Sequence, residues 1–208
     1  MPELRPFFPT TDARNKILEA ALKIFSADGF HGATTRAIAH AARVSQPLLS
    51  HHFGGKEELW RLVGERITAD FMDYMTNAVD PMLPPGEGVR AMLRGYMGYW
   101  KSRPMAFRFN LWRLLNGPRE ERTLRAEHIT RHGVAFMQRA QEAGFVRKDM
   151  PAGLALIVGG GLIQFWLHSQ LEIQGALAAT GDQVGDEAFL DHVLSIVQGV
   201  VAATNEKP

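Results

Sequence analysis

The 208 residues contain no cysteine. Disulfide frameworks, thiolate metal sites and cysteine nucleophiles are thereby excluded, and a reducing compartment is permitted. A dominant charge sign is missing too. Lys+Arg 23 against Asp+Glu 22 leave a net +1, so composition alone argues for no partner of opposite charge. The sequence also lacks a Gly-x-Ser-x-Gly elbow, a Gly-x-Gly-x-x-Gly turn and a Walker loop. We therefore expect no enzyme activity and no cofactor. Strand-type alternation bounded by turns is absent as well, which leaves little room for a sheet.

What is present is ordinary globular composition, 46% hydrophobic and 22% charged, enough apolar material to offset chain entropy. The first ten residues, with Pro2, Pro6 and Pro9, are too short and proline-rich for a signal peptide, and we expect a cytoplasmic protein with no membrane anchor. One stretch, 150–171, carries no Asp, Glu, Lys or Arg. A spanning helix needs about 20 apolar residues. Here Gly159–Gly161, Gln164, His168, Ser169 and Gln170 interrupt it, and acidic Asp149 and Glu172 flank it. A helix buried by protein is the better reading.

The balanced net charge hides an uneven distribution. Residues 1–56 carry net +3, 57–100 net −3, 101–148 net +7 and 149–208 net −6. A modestly basic N-terminal segment is compatible with nucleic acid.

The periodicity is helical almost throughout. Asp12 stands before a stripe of Ile17, Leu18, Ala21, Leu22 and Phe25, which ends at Asp28 and Gly29. Short helices follow from Thr34–Thr35 and from Ser45, then a break at Gly54–Gly55 and a long amphipathic stretch from Lys56 to about Val79. Further patterns cover 87–102, 104–116, 119–143, 152–175 and 186–204. These spans predict an all-α protein of about nine helices. We divide it into 1–56, an N-terminal three-helix domain, and 57–208, a larger helical domain.

The 34–56 stretch carries chemistry. Two short helices joined by a tight turn can place the second in a major groove. Ala39 supplies the small contact such a pair needs, and Ile38, Ala42, Val44 and Leu49 supply the apolar ones. Ser45 suits the second helix's N-cap, and Pro47 is tolerated in its first turn. Ser45, Gln46, Pro47, Leu48, Ser50 and His51 then offer few charges and several base-reading groups. Gln pairs with adenine, and Leu or Pro touches a thymine methyl. Thr34, Thr35, Arg36 and Lys56 flank the pair as phosphate contacts.

The run from Thr35 through Val44, Ser45, His51-His52-Phe53 and Lys56-Glu57-Glu58-Leu59 resembles the DNA-binding signature of the TetR family. The resemblance covers roughly 12–62. Three positions depart from the family pattern: Arg43 for the turn glycine, Pro47 for a helix glycine, and Ser50 for a tyrosine. If position 43 needs positive φ, Arg43 is strained by about 1 kcal/mol relative to Gly. Position matching implies DNA contacts at Thr35, Arg36, Ser45, Gln46, Ser50, His51, His52 and Lys56.

The resemblance further implies a repressor that binds a palindromic double-stranded DNA operator as a homodimer. One such module reads few bases, and a dimer reads two half-sites about 34–36 Å apart. Interface candidates are Gly160, Gly161, Leu162 and Trp166 on one helix, and Val193, Leu194, Val197 and Val201 on the other. A small-molecule effector would shift the helix beginning at Lys56 and lower DNA affinity. Candidate effector contacts are Tyr96, Trp100, Phe107, Arg108, Asn110, Trp112, Arg113, Phe136, Gln164, Phe165 and His168, apolar surface with a few polar groups. The +7 segment favours an anionic ligand over a cationic one. Two alternatives stand beside this. His128 and His132, four apart on a helix, suggest a metal-responsive regulator, although zinc wants three or four ligands and we expect no metal. A non-specific DNA binder is the other, and the net +1 argues against it.

Overall fold

The computed structural model describes residues 7–8, 12–117 and 119–198. Ten helices and no strand occur among them: α1 Ala13–Gly32, α2 Thr35–Ala42, α3 Gln46–Phe53, α4 Lys56–Ala78, α5 Pro85–Ser102, α6 Pro104–Asn116, α7 Arg119–Glu142, α8 Ala152–His168, α9 Gln170–Thr180 and α10 Asp186–Gln198. Asp12 caps α1 by accepting from the Asn15 N–H at 2.7 Å. Near its end α1 is kinked at Gly29, whose φ of 68° and ψ of −174° only glycine adopts without strain.

The expected helix over 152–175 is two helices. The chain breaks at Ser169 and α9 leaves α8 at 89°. Ser169 is buried, and its hydroxyl is 2.7 Å from His168 Nδ1. The backbone leaves the helical region at this residue, with φ −108° and ψ 39°. No residue of α9 is buried, and Ile173 is half-buried against the core of the second unit. No single helix among the described residues is long and apolar enough to cross a membrane, and only the bent α8–α9 pair reaches that composition.

The chain forms two compact units, Met1–Tyr74 with Tyr99–Ala126, and Met75–Gly98 with Glu127–Pro208. This differs from a division at 56/57. In the first unit α1 packs along α6 and against α2. Phe25 meets Trp60 edge-on at 5.0 Å, and Trp60 lies 4.4 Å from Phe109. The ring of Trp112 sits on Gly29, where a Cβ would come within 2.9 Å of it. Burying each such aromatic is worth roughly 1.5–3 kcal/mol, so α6 adheres to α1 rather than to its neighbours in sequence.

The second unit has its own core of Val89, Leu93, Met97, Met137, Ile163, Trp166, Leu190, Val193, Leu194 and Val197. Its α8 and α10 pack together. Trp166 stacks on Phe189 at 4.2 Å and donates its indole N–H to Asp186 at 2.9 Å. The Arg147 N–H donates to the Val197 carbonyl at 3.1 Å, fixing the end of α10.

Candidate nucleic-acid interface

The α2–α3 pair is built from local signals. Thr34 caps α2, its hydroxyl accepting from the Ala37 N–H at 3.1 Å. Arg43 ends α2 in the left-handed region, φ 57° and ψ 43°. It is the one non-glycine residue with positive φ among the described residues. The turn is closed by the Arg43 N–H on His40 O at 3.1 Å and the Val44 N–H on Ala39 O at 3.0 Å. Ser45 then caps α3, accepting from the Leu48 N–H at 3.3 Å, and Pro47 sits in the first turn, where no donor is lost. Gln46 Nε2 donates to Thr35 Oγ1 at 3.3 Å, tying the two helix starts together.

The faces of α3 are cleanly separated. Leu49 and Phe53 are buried, and Ile38, Ala39 and Ala42 of α2 are buried with them. The Arg14 guanidinium lies 5.5 Å from the Phe53 ring and holds it from α1. Gln46, Pro47, Leu48, Ser50, His51 and His52 are exposed together on the outer side, with Arg36 and Arg43 exposed beside them. An eight-residue helix with an outward face of amide, hydroxyl, imidazole and short apolar groups fits the major groove's donors, acceptors and thymine methyls.

Lys56 is different. Its ammonium donates to the Ala33 carbonyl at 3.0 Å and lies 4.4 Å from the Phe30 ring. Those contacts anchor the start of α4 to the end of α1, so a phosphate contact by Lys56 would share its ammonium with a structural bond.

The bacterial regulatory protein model, tetR family, matches residues 17–63, the span that holds this pair. Over residues 17–63 the chain carries the DNA-binding region of the tetR family. Among curated relatives, it is 34% identical over 93 residues to the HTH-type transcriptional regulator UidR of Escherichia coli K12, covering 38% of this chain and 47% of UidR. The chain thus spans about half the length of that relative. It is 26% identical over 200 residues to the HTH-type transcriptional repressor AcnR of Corynebacterium glutamicum, covering 92% of this chain and 93% of AcnR. A solved tetR-family regulatory protein from Rhodococcus RHA1 superposes with a TM-score of 0.72 at 17% identity, over 90% of this chain and 97% of that one. That likeness shows the fold.

Elsewhere in the chain the expected effector residues fall into both compact units. In the first, Trp100, Phe107, Asn110 and Arg113 are buried, Trp112 is half-buried against Gly29, and Arg108 is exposed. Arg113 braces α6 to α4, donating to Gly64 O at 3.1 Å. A Cβ at Gly64 would lie 2.8 Å from its Cζ. In the second, Gln164 Nε2 donates to Tyr96 OH at 2.5 Å, and Phe136 packs on Gly88. Phe165 and His168 are exposed.

Of the interface candidates, Trp166, Val193, Leu194 and Val197 are buried in the chain's own core. Gly161 is open, with nothing within 4 Å of a Cβ there, Gly160 has only Tyr96 at that range, and Leu162 is half-buried. Val201 lies outside the described residues. The apolar side chains left outside are Leu154 at 49%, Ile157 at 58% and Phe165 at 49% exposure on α8, and Ile196 at 44% on α10. Because α8 is apolar on every side, hydrophobicity alone does not tell its inner face from its outer one. His132 is exposed, and the His128 side chain lies outside the described residues. No group of three or more His, Asp or Glu able to hold a metal occurs among the described residues.

Proposed function

We propose that the protein is a cytoplasmic DNA-binding transcriptional regulator, a repressor that binds a palindromic operator as a homodimer and is released by a small-molecule effector. The observation that carries this reading is α3. Its inward residues are consumed by packing, and its outward ones form a base-reading surface on a capped, rigid helix. The relatives AcnR and NicS are named as repressors, which supports that direction of control.

Dimerisation follows from the outer face of α8, where Leu154, Ile157 and Phe165 recur at helical spacing around the open Gly161, with Ile196 on α10. A contiguous apolar patch of this kind marks an interface, and a two-fold contact uses the same patch on both copies.

The test is random-duplex selection with the purified chain at fixed salt, with the mass of the bound species read alongside. The account expects a palindrome bound by two chains. Gln46→Ala should then relax preference at one base position per half-site by about 1–3 kcal/mol. A bound monomer, or enrichment of no motif with or without a broad effector library, contradicts it.

A further inference from the structure

Phe7 and Phe8 precede α1 and belong to no helix, yet they are only 7% and 5% exposed. Their seat is formed by α4 and the corner between α5 and α6, within the first compact unit. Arg66 Nε donates to the Phe7 carbonyl at 2.9 Å. The Arg103 guanidinium lies 4.5 Å from the Phe7 ring centroid. Arg103 is itself 11% exposed and faces the Asp70 carboxylate at 3.3 Å, yet its buried Nε has no hydrogen-bond partner among the described residues. Tyr99 lies beside Asp70, its hydroxyl donating to Ile67 O at 3.2 Å. Burial, with Asp70 nearby, holds that phenol protonated far above its ordinary range. The seat therefore sets two cations against one carboxylate.

What occupies it has a definite shape. Phe7 presents an aromatic ring to Arg103 and, on the carbon three bonds from the ring, a carbonyl to Arg66. That is the skeleton of 3-phenylpropionate, with a neutral carbonyl where the free acid has a charged one. A carboxylate at the position of that carbonyl would make a charge-assisted bond to Arg66, stronger than the carbonyl's. We infer that Phe7–Phe8 occupy in cis a site that accepts an arylalkyl carboxylate in trans. The inference deepens the effector half of the proposed function and rests on it. Ligand entry expels the segment that leads into α1 and so cuts its tie to Arg66 of α4. Because the occupant is tethered, a free ligand competes against a high local concentration, and wild-type affinity is reduced by the fraction of time the seat is open.

The test uses 3-phenylpropionate with the full chain and no DNA, so failure of operator binding and failure of this site are separable. Calorimetry on wild type and on Phe7→Ala/Phe8→Ala should show at least about ten-fold tighter binding to the double variant. Adding Arg66→Gln, at an exposed position, should reverse that gain, and 3-phenylpropionamide should bind more weakly than the acid. In the wild type, saturating ligand should raise hydrogen exchange in the peptide containing residues 7 and 8. This readout decides the matter even if the double variant does not fold. Equal affinity for wild type and double variant, binding to neither, or unchanged exchange in that peptide overturns the inference.

Discussion

Arg43 carries the clearest local conflict in the chain. Its φ of 57° is a conformation that costs an L-residue about 1–2 kcal/mol, and glycine escapes most of that while losing somewhat more chain entropy on folding. Arg43→Gly should raise unfolding free energy by about 1 kcal/mol, and Arg43→Ala should leave it nearly unchanged, as read by urea denaturation. A loss of stability in Arg43→Gly would mean that the arginine side chain contributes more than its backbone costs. Glu19 is a second such residue. Its Oε2 is buried with no hydrogen-bond partner among the described residues, and burial raises its carboxyl above the ordinary range. The folded chain thus holds this proton more tightly than the unfolded one. The resulting stability is complete below the unfolded value, about pH 4.3, and is lost as pH rises through the folded value. Glu19→Gln should remove that decline, leaving the variant more stable than wild type at pH 7. An unchanged or steeper loss of stability on raising the pH from 4 to 7 would refute the assignment.

At the scale of elements, short helices with strong caps were the most legible. Thr34, Ser45 and Gly54 mark α2 and α3 because a hydroxyl cap or a positive-φ glycine has few other uses at those spacings. The exposed face of α3 followed from the same residues, since an eight-residue helix with Leu49 and Phe53 inside has one side left. The α8–α9 break was not legible. α8 ends where Ser169 takes φ −108° and ψ 39°, with no proline or glycine to mark the place. Which residues of α8 face outward was not legible either, because Trp166 and Phe165 are adjacent, equally apolar in sequence, and separated only by which side the core lies on. That separation makes a prediction. Ile157→Glu places a charge on an exposed position and should leave circular dichroism unchanged while shifting sedimentation from dimer to monomer at micromolar concentration. Retention of the dimer would place the interface elsewhere.

For the whole molecule, the attachment of α6 to α1 was hidden from the sequence. It depends on Trp60, Phe109 and Trp112 meeting residues far away in the chain, and no local pattern encodes which aromatic faces which. The consequence is functional. The three-helix head, the first part of α4 and α6 make one compact unit, so an event at the Arg66–Arg103 seat occurs within the unit that holds α3. The central claim is that this unit reads sequence rather than charge. The most direct measurement compares affinity for the selected palindrome with affinity for a scrambled duplex of equal length, at one salt concentration near 0.15 M. The account predicts a ratio of at least about 10³, typical of specific recognition. A ratio near one, with affinity falling steeply as salt rises, would contradict it and leave a non-specific binder.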